Sequence, residues 1–283
     1  MFTLIAENYR GERIQLTNNP KYRLYEVDGL YPPNANISTA TNATFDGSVF
    51  KSSRVTDRNI VLKVAIESPA EPNRLELYRY FQTKKAVKLY ITNGTRDVFI
   101  DGYVETFEVG IWGAKQAAQI SILCPKSYFS AADESTTDMS AVVGLFEFPF
   151  ESEIGEGFEF SELLLEQEKN IYNSGEVTTG MIIEFRAHGN VSNPTFYNVT
   201  TTENIKVNIS LQDGDVLTIN TNKGEKSISL LRSGVVSNKL NNLDMASEWL
   251  QLESGDNIFL YTASSGAQYC ECFVYFNVLY EGV

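Results

Sequence analysis

The sequence is poor in the residues from which most catalytic and metal sites are built. Its 283 residues include a single histidine, His188, with three cysteines and two tryptophans. A hydrolase needs a nucleophile beside a base, a pair of carboxylates or a metal-bound water. The sequence also lacks a nucleophile elbow, a His-Glu-x-x-His motif, a glycine-rich phosphate loop and a Cys-x-x-Cys pair. We therefore expect a protein that is not an enzyme, with no catalytic residues, metal or cofactor.

The remaining polar residues are explained more simply by turns than by catalysis or metal binding. His188 precedes Gly189 and Asn190, as expected of a residue in a turn that is hydrogen-bonded locally. Asp213 and Asp215, like Asp256, could donate oxygens to calcium, but the regular acidic spacing of a calcium loop is missing. We expect these aspartates to lie in turns between strands.

The cysteines do not form a disulfide framework. Their number is odd, and Cys270 and Cys272 lie two residues apart in a predicted strand, so both side chains point to the same face. We expect these two residues and Cys124 to be buried free thiols.

Long apolar runs are also missing. No stretch approaches the roughly 18 apolar residues that a membrane-spanning helix needs. The first residues, MFTLIAENYRGER, lack the basic start and long apolar region of a secretory signal. We therefore expect no membrane segment and synthesis in a cytoplasm.

Positive charge is scarce in one half of the chain only. Residues 1–130 contain 16 Lys+Arg and 13 Asp+Glu, a net charge of +3, whereas residues 131–283 contain 7 and 23, a net charge of −16. An acidic surface argues against binding of nucleic acid by the second half, since phosphate contacts need basic residues. The change of charge near residue 131 indicates a domain boundary.

What the sequence has in abundance is β-strand patterning. Tyr, Phe, Val, Ile and Thr recur in short alternating runs, and Asn93-Gly94 between two such runs predicts a hairpin. In the run that ends at Cys124, residues 118, 120, 122 and 124 share one face, and Pro125 should end the strand. One helix is predicted over residues 71–85, with Leu75, Tyr78 and Phe81 on its apolar face.

Three regions follow from these patterns. Residues 1–130 are predicted to form a β-rich domain with one helix, and residues 171–283 a β-sandwich of short strands. The sequence leaves open whether the last strand, Phe273–Tyr280, closes this sandwich or returns to the first domain. Residues 131–170 are predicted to be an acidic connecting segment in which glutamates alternate with phenylalanines, as a pair of strands could. Within the first domain, residues 34–53 are polar and long for a loop, and we interpret them as an extended arm that contacts something outside its own domain.

The order of these elements resembles the distal tail protein (Dit) family of long-tailed phages that infect Gram-positive bacteria. In the first half the resemblance rests on YEVDGLYPP (25–33), the Asp-Gly-x-x-Phe of residues 46–50, DRNIVL (57–62), the helix near 75–81, DGYVETFEV (101–109) and QISILCPKSYF (119–129). In the second half it rests on NSGEVTTGMIIEF (173–185), GDVLTINTNKGEKSISL (214–230) and WLQLESGDNIFLYTA (249–263).

The resemblance implies a virion protein at the phage tail tip. Its first domain would form a ring, usually a hexamer, between the tail tube protein and the tail-tip hub protein, with DNA passing through the lumen without sequence-specific binding. Its second domain would be a galectin-like sandwich that serves as a docking platform for receptor-binding proteins. The family's arm, which embraces the neighbouring subunit, implies inter-subunit contacts by residues in and beside the 34–53 segment, namely Asn34, Asn36, Asp46, Phe50 and Arg58.

Two other functions remain open from the sequence. The second domain could be a carbohydrate-binding module for cell-wall polysaccharide, with Trp249 stacking on a sugar ring; against this, the His, Asn, Arg, Trp and Glu spacing of true galectins is incomplete. A glycosidase that uses glutamates of the connecting segment is the third interpretation, although so many acidic residues produce a suitable spacing by chance.

Overall fold

A computed structural model describes residues 2–41, 44, 46–111, 116–139, 141–144, 161–164 and 168–283, with only the backbone of 141–144 and 161–164. The chain divides into two compact units. The first contains residues 1–132 together with 279–283, and the second contains residues 133–278. The last five residues thus return to the first unit after the second is complete.

Short strands make up most of both units, so the predicted mainly β fold is confirmed. The elements of the first half are β1 Thr3–Asn8, β2 Arg13–Gln15, β3 Tyr22–Asp28, β4 Ala35–Thr41, β5 Ser48–Val55, β6 Arg58–Ile66, α1 Ala70–Tyr80, β7 Ala86–Thr92, β8 Asp97–Val109, β9 Gln116–Cys124 and β10 Phe129–Ala131. Those that follow are β11 Ser135–Asp138, β12 Ala141–Gly144, β13 Ser161–Leu164, β14 Lys169–Asn173, β15 Ile182–Ala187, β16 Val191–Asn198, β17 Asn204–Lys206, β18 Ser210–Leu211, β19 Val216–Asn220, β20 Ser227–Arg232, β21 Val235–Asn238, β22 Gly255–Ser265, β23 Cys270–Phe276 and β24 Leu279–Tyr280, with 3₁₀ turns at Leu240–Asn242 and Ala267–Tyr269.

The first unit is built on one antiparallel sheet. Its strands follow the order β2-β1-β7-β8-β9-β6-β3, and β10 joins both β8 and β24. The predicted hairpin at Asn93-Gly94 is confirmed, since β7 pairs with β8 across it. The predicted face of β9 is also confirmed: Ala118, Ile120, Ile122 and Cys124 are all buried, and the strand ends before Pro125.

The helix α1 is shorter than predicted. It ends at Tyr80 rather than 85, because Lys84 donates its backbone N–H to Val104 O (2.8 Å) and Lys85 O accepts from Val104 N (3.1 Å). These residues are held by β8 instead of a helical turn. The predicted face is partly wrong as well: Leu75 is exposed, and the helix buries Leu77 together with Asn73. Asn73 O accepts a hydrogen bond from the buried Tyr22 hydroxyl (2.9 Å).

The second unit is a sandwich of two antiparallel sheets. Among the described residues, one sheet has six strands in the order β11-β23-β15-β19-β20-β21, and the other has five, β14-β22-β16-β17 with β18 on β16. Alternate residues of the strands are buried, as in β23. The sheets meet through rings such as Phe185 and Tyr261, whose centroids lie 6.4 Å apart.

The predicted connecting segment 131–170 contributes to the second unit at both ends. Its strand β11 pairs with β23 at the edge of the six-stranded sheet, and residues 169 and 170 begin the edge strand β14. Between them, β12 pairs with β13. The alternating phenylalanines and most of the glutamates that suggested a strand pair lie outside the described residues.

A buried arginine holds the C-terminal tail in the first unit. Arg58 is only 4% exposed and donates hydrogen bonds to four backbone carbonyls, at Gly29 (2.5 Å), Tyr31 (2.7 Å), Ser127 (2.6 Å) and Glu281 (2.6 Å). Its guanidinium carbon also lies 4.5 Å from the centroid of the Phe129 ring. Burial lowers the pKa of this guanidinium, and the carbonyl dipoles offset part of the desolvation.

Further contacts secure the same tail. Arg96 donates to Gly282 O and lies over the Tyr280 ring, and the backbone N–H of Val283 donates to Leu30 O (3.0 Å). Gly29 has to be a glycine here. Its φ is +87°, and a Cβ atom at that position would lie 2.2 Å from Asn59 O. We call this set of contacts around Arg58 the arginine clasp.

Replacing Arg58 by lysine should destabilise the first unit. In Arg58→Lys a single ammonium cannot reach four carbonyls, so we expect the free energy of unfolding to fall by about 3 kcal/mol. Urea denaturation followed by tryptophan and tyrosine fluorescence measures this. Arg13→Lys, at an exposed ion pair with Glu7, is the control and should change stability by less than about 0.5 kcal/mol. Equal stability of the two variants would contradict the role of the clasp.

The three thiols should be unreactive in the folded protein. All are free and buried, as predicted, and burial raises the pKa of Cys124 and of Cys270 to about 12 and that of Cys272 well above its ordinary value. Ellman's reagent at pH 8 should therefore leave the native protein unlabelled and label all three thiols in denaturant. Because unfolded thiols ionise near pH ~8.5, stability should also fall as the pH rises from there toward 12. Labelling of the native protein at the rate of free cysteine would refute this.

Candidate assembly site

The predicted arm is a β-hairpin of its own. We expected residues 34–53 to have little regular structure, and this is wrong: β4 and β5 pair antiparallel over their whole length. Thr56 closes its base by donating from its backbone N–H (3.1 Å) and its hydroxyl (3.2 Å) to Asn34 O. The predicted contact residues Asn34, Asn36, Asp46 and Phe50 all belong to this hairpin or its base, and all are exposed.

The register of the hairpin places four of its apolar residues on one face, whereas Ala40 and Val49 pair on the other. Ala35 is paired with Val55, Ile37 with Ser53 and Thr39 with Phe50, with a bulge between Ser38 and Thr39. Directly paired residues lie on the same face, and faces alternate along a strand. Ala35, Ile37, Phe50 and Val55 therefore share one face. Ile37 is 61% exposed and Phe50 62% exposed.

The hairpin lacks what usually stabilises an isolated strand pair. Within the described residues, neither β4 nor β5 pairs with a third strand. A two-stranded hairpin is marginally stable in water unless a third strand or a packed face supports it, and its free edges invite pairing with another chain. The outer edges of both strands are thus unpaired within the described residues.

Arg58 is a correction to the predicted contact set. Its side chain is buried in the arginine clasp, and its donors are bonded to carbonyls of its own unit. Ile37, by contrast, was missed by the sequence reasoning. Its alternation with Ala35 was the available signal, but the surrounding Asn, Ser and Thr residues concealed it.

Trp249, the predicted sugar-stacking residue, lies beside Lys226 in the second unit. The indole is half-buried, and the Lys226 ammonium lies 5.2 Å from its ring centroid. The neighbouring Leu250 and Leu252 are buried in the core. One face of the ring is therefore occupied by a cation, an arrangement that contributes to packing of the second unit.

The remaining candidate polar residues form ordinary pairs. His188 Nε2 lies 3.2 Å from Glu271 Oε2 at the surface, and its backbone N–H donates to Tyr269 O (2.8 Å). Asp215 is buried against Arg232, whose Nε lies 3.0 Å from both carboxylate oxygens, and these hydrogen bonds lower the pKa of Asp215. In the described part of the chain, no cluster of three or more His, Cys, Asp or Glu residues could hold a metal ion. None of its helices has the length and hydropathy to span a bilayer.

Part of the chain matches a known protein family. The family described as siphovirus-type tail component, C-terminal domain, matches residues 174–278, which lie within the second unit. Among curated proteins, none matches the chain.

Solved structures extend the likeness to the whole chain. The crystal structure of SPP1 Dit, described as a paradigm of the hub adsorption apparatus in phages infecting Gram-positive bacteria, matches with a TM-score of 0.69 and 14% identity over 99% of both chains. Chains of the phage p2 baseplate in its activated conformation, with Ca and with Sr, match with TM-scores of 0.53, identities of 11% and 12%, and coverage of 97–98% of this chain and 98% of theirs. The resemblance inferred from the ordered motifs is confirmed to this extent: residues 174–278 match the family of siphovirus-type tail components, and the whole chain has the fold of SPP1 Dit.

Proposed function

We propose that this chain forms a ring of identical subunits at the tip of a phage tail, of six copies as the family resemblance implies. The ring would join the tail tube protein to the tail-tip hub protein and leave a lumen for DNA. The second unit would serve as docking platform for receptor-binding proteins. The protein would act as a virion structural component, made in the host cytoplasm, with no enzymatic step.

The exposed hairpin carries this proposal. Its apolar face and unpaired edges lack a cover in the described chain, and a neighbouring subunit can supply one. Residues on a hairpin that reach a different surface of the next copy make a heterologous contact, which closes into a ring when the rotation permits. The hairpin then accounts for assembly without any further protein.

The charge distribution supports different roles for the two units, ring formation for the first and docking for the second. The first 130 residues are close to neutral, whereas the remainder carries a net charge of −16. Like-charged second units repel one another, so they would favour positions apart from each other around a ring. The near-neutral first units meet no such repulsion when they pack side by side.

A charge on the apolar face of the hairpin should prevent assembly. In Phe50→Asp each subunit loses an apolar contact of roughly 2 kcal/mol and gains a buried carboxylate. We therefore expect the protein concentration at which the ring dissociates to be at least 30-fold higher than for the unmodified protein. Light scattering coupled to gel filtration, with negative-stain electron microscopy, measures this.

The matched control is Leu75→Asp, which charges a residue 53% exposed on α1, close to the 62% of Phe50. It should assemble as the unmodified protein does, and at a concentration low enough to keep all proteins monomeric both variants should unfold at the same temperature. A strictly monomeric unmodified protein, or rings formed equally well by Phe50→Asp, would refute the proposal.

A further inference from the structure

The second unit presents a free strand edge. β21 is the last strand of the six-stranded sheet and pairs only with β20 in the described chain. The two strands are joined at Ser233 and Gly234, with φ of 50° and 79°, the geometry of a two-residue turn. Arg232 and Val235 close the turn, so Val236 and Asn238 hold the non-hydrogen-bonded positions. Their N–H and C=O groups therefore point away from β20, toward the open edge.

This edge is unusually apolar for an exposed strand. Val235 is 66% and Val236 68% exposed, and Leu231, paired with Val236, is 38% exposed. Natural proteins protect free edges with short strands, prolines or inward-pointing charges. β21 is short, but it presents two valines in succession and no proline or charge within the strand.

The same region lacks the acidic excess of its unit. Residues 226–243, bordered by Glu225 and Asp244, contain Lys226, Arg232 and Lys239 and no Asp or Glu, although residues 131–283 have a net charge of −16. The nearby Asp215 is paired with Arg232. Lys226 and Lys239 flank the same end of the β20–β21 hairpin, since Lys239 N donates to Ile228 O. A basic edge on an acidic unit selects an acidic partner and disfavours a second copy of itself.

We propose that the free edge of β21 binds an extended, acidic strand of a partner protein by β-strand addition. The added strand exchanges backbone hydrogen bonds with Val236 and Asn238, covers the exposed valines, and places carboxylates near Lys226 and Lys239. This inference rests on the proposed docking role of the second unit and names the surface and the chemistry of the partner. Nucleic acid fits the cations but not the apolar strand edge.

The test uses the full chain and a designed, fluorescein-labelled octapeptide in which glutamate alternates with valine or phenylalanine. Fluorescence anisotropy should show saturable binding that weakens as salt is raised. Val236→Pro removes an N–H that the β20 ladder does not use, and it should weaken binding at least tenfold. Met245→Ala, which removes a fully exposed apolar side chain outside β21, should leave the affinity unchanged.

Two further peptides keep the test independent of how the variant folds. The peptide with alternate residues N-methylated cannot pair with a strand edge, and the peptide with lysine in place of glutamate has the wrong charge. Each should bind at least tenfold more weakly to the unmodified protein. Equal binding of either peptide, no binding by the acidic peptide, tighter binding of an oligonucleotide at this edge, or self-association abolished by Val236→Pro would overturn the inference.

Ring formation is scored separately on the same samples. Val236→Pro should still form rings, because Val236 belongs to the second unit and the change leaves the β4–β5 hairpin of the first unit intact. Peptide binding that depends on Val236 without any ring formation would refute the proposed ring and leave this inference standing. Rings without peptide binding would overturn this inference and leave the proposed ring standing.

Discussion

The arginine clasp is the interaction on which the arrangement of this chain depends. Arg58, at the start of β6, binds carbonyls contributed by residues on both sides of the second unit in sequence, including Ser127 and Glu281. The chain leaves the first unit after β10 and returns as β24, which pairs with β10. One buried guanidinium therefore bonds the segment that precedes the second unit in sequence and the segment that follows it, and both segments belong to the first unit.

Local features of the fold could be predicted from the sequence because their causes are local. The alternation of β9, the stop at Pro125 and the Asn93-Gly94 hairpin depend on neighbouring residues only. The clasp could not be predicted, since its acceptors are backbone carbonyls that any residue supplies and they lie up to 223 positions from Arg58. The helix end at Tyr80 escaped prediction for the same reason: the bonds of Lys84 and Lys85 to Val104 are long-range.

The candidate sites could also be predicted from the sequence only in part. The composition of residues 34–53 indicated an arm, but the faces of the hairpin depend on a register with a bulge, and a one-residue shift would move Phe50 away from Ile37. Arg58 was assigned to the arm by its position in sequence, and its burial shows why proximity along the chain is a poor guide to contact. The hairpin and the edge of β21 have one feature in common: each exposes backbone hydrogen-bonding groups beside apolar side chains.

The most direct test of the account is a cryo-electron microscopy reconstruction of the purified full chain at near-atomic resolution. The account predicts a closed ring in which the β4–β5 hairpin of each subunit lies on its neighbour, with Ile37 and Phe50 buried between them. Single subunits, or a ring in which both side chains remain exposed to solvent, would contradict it.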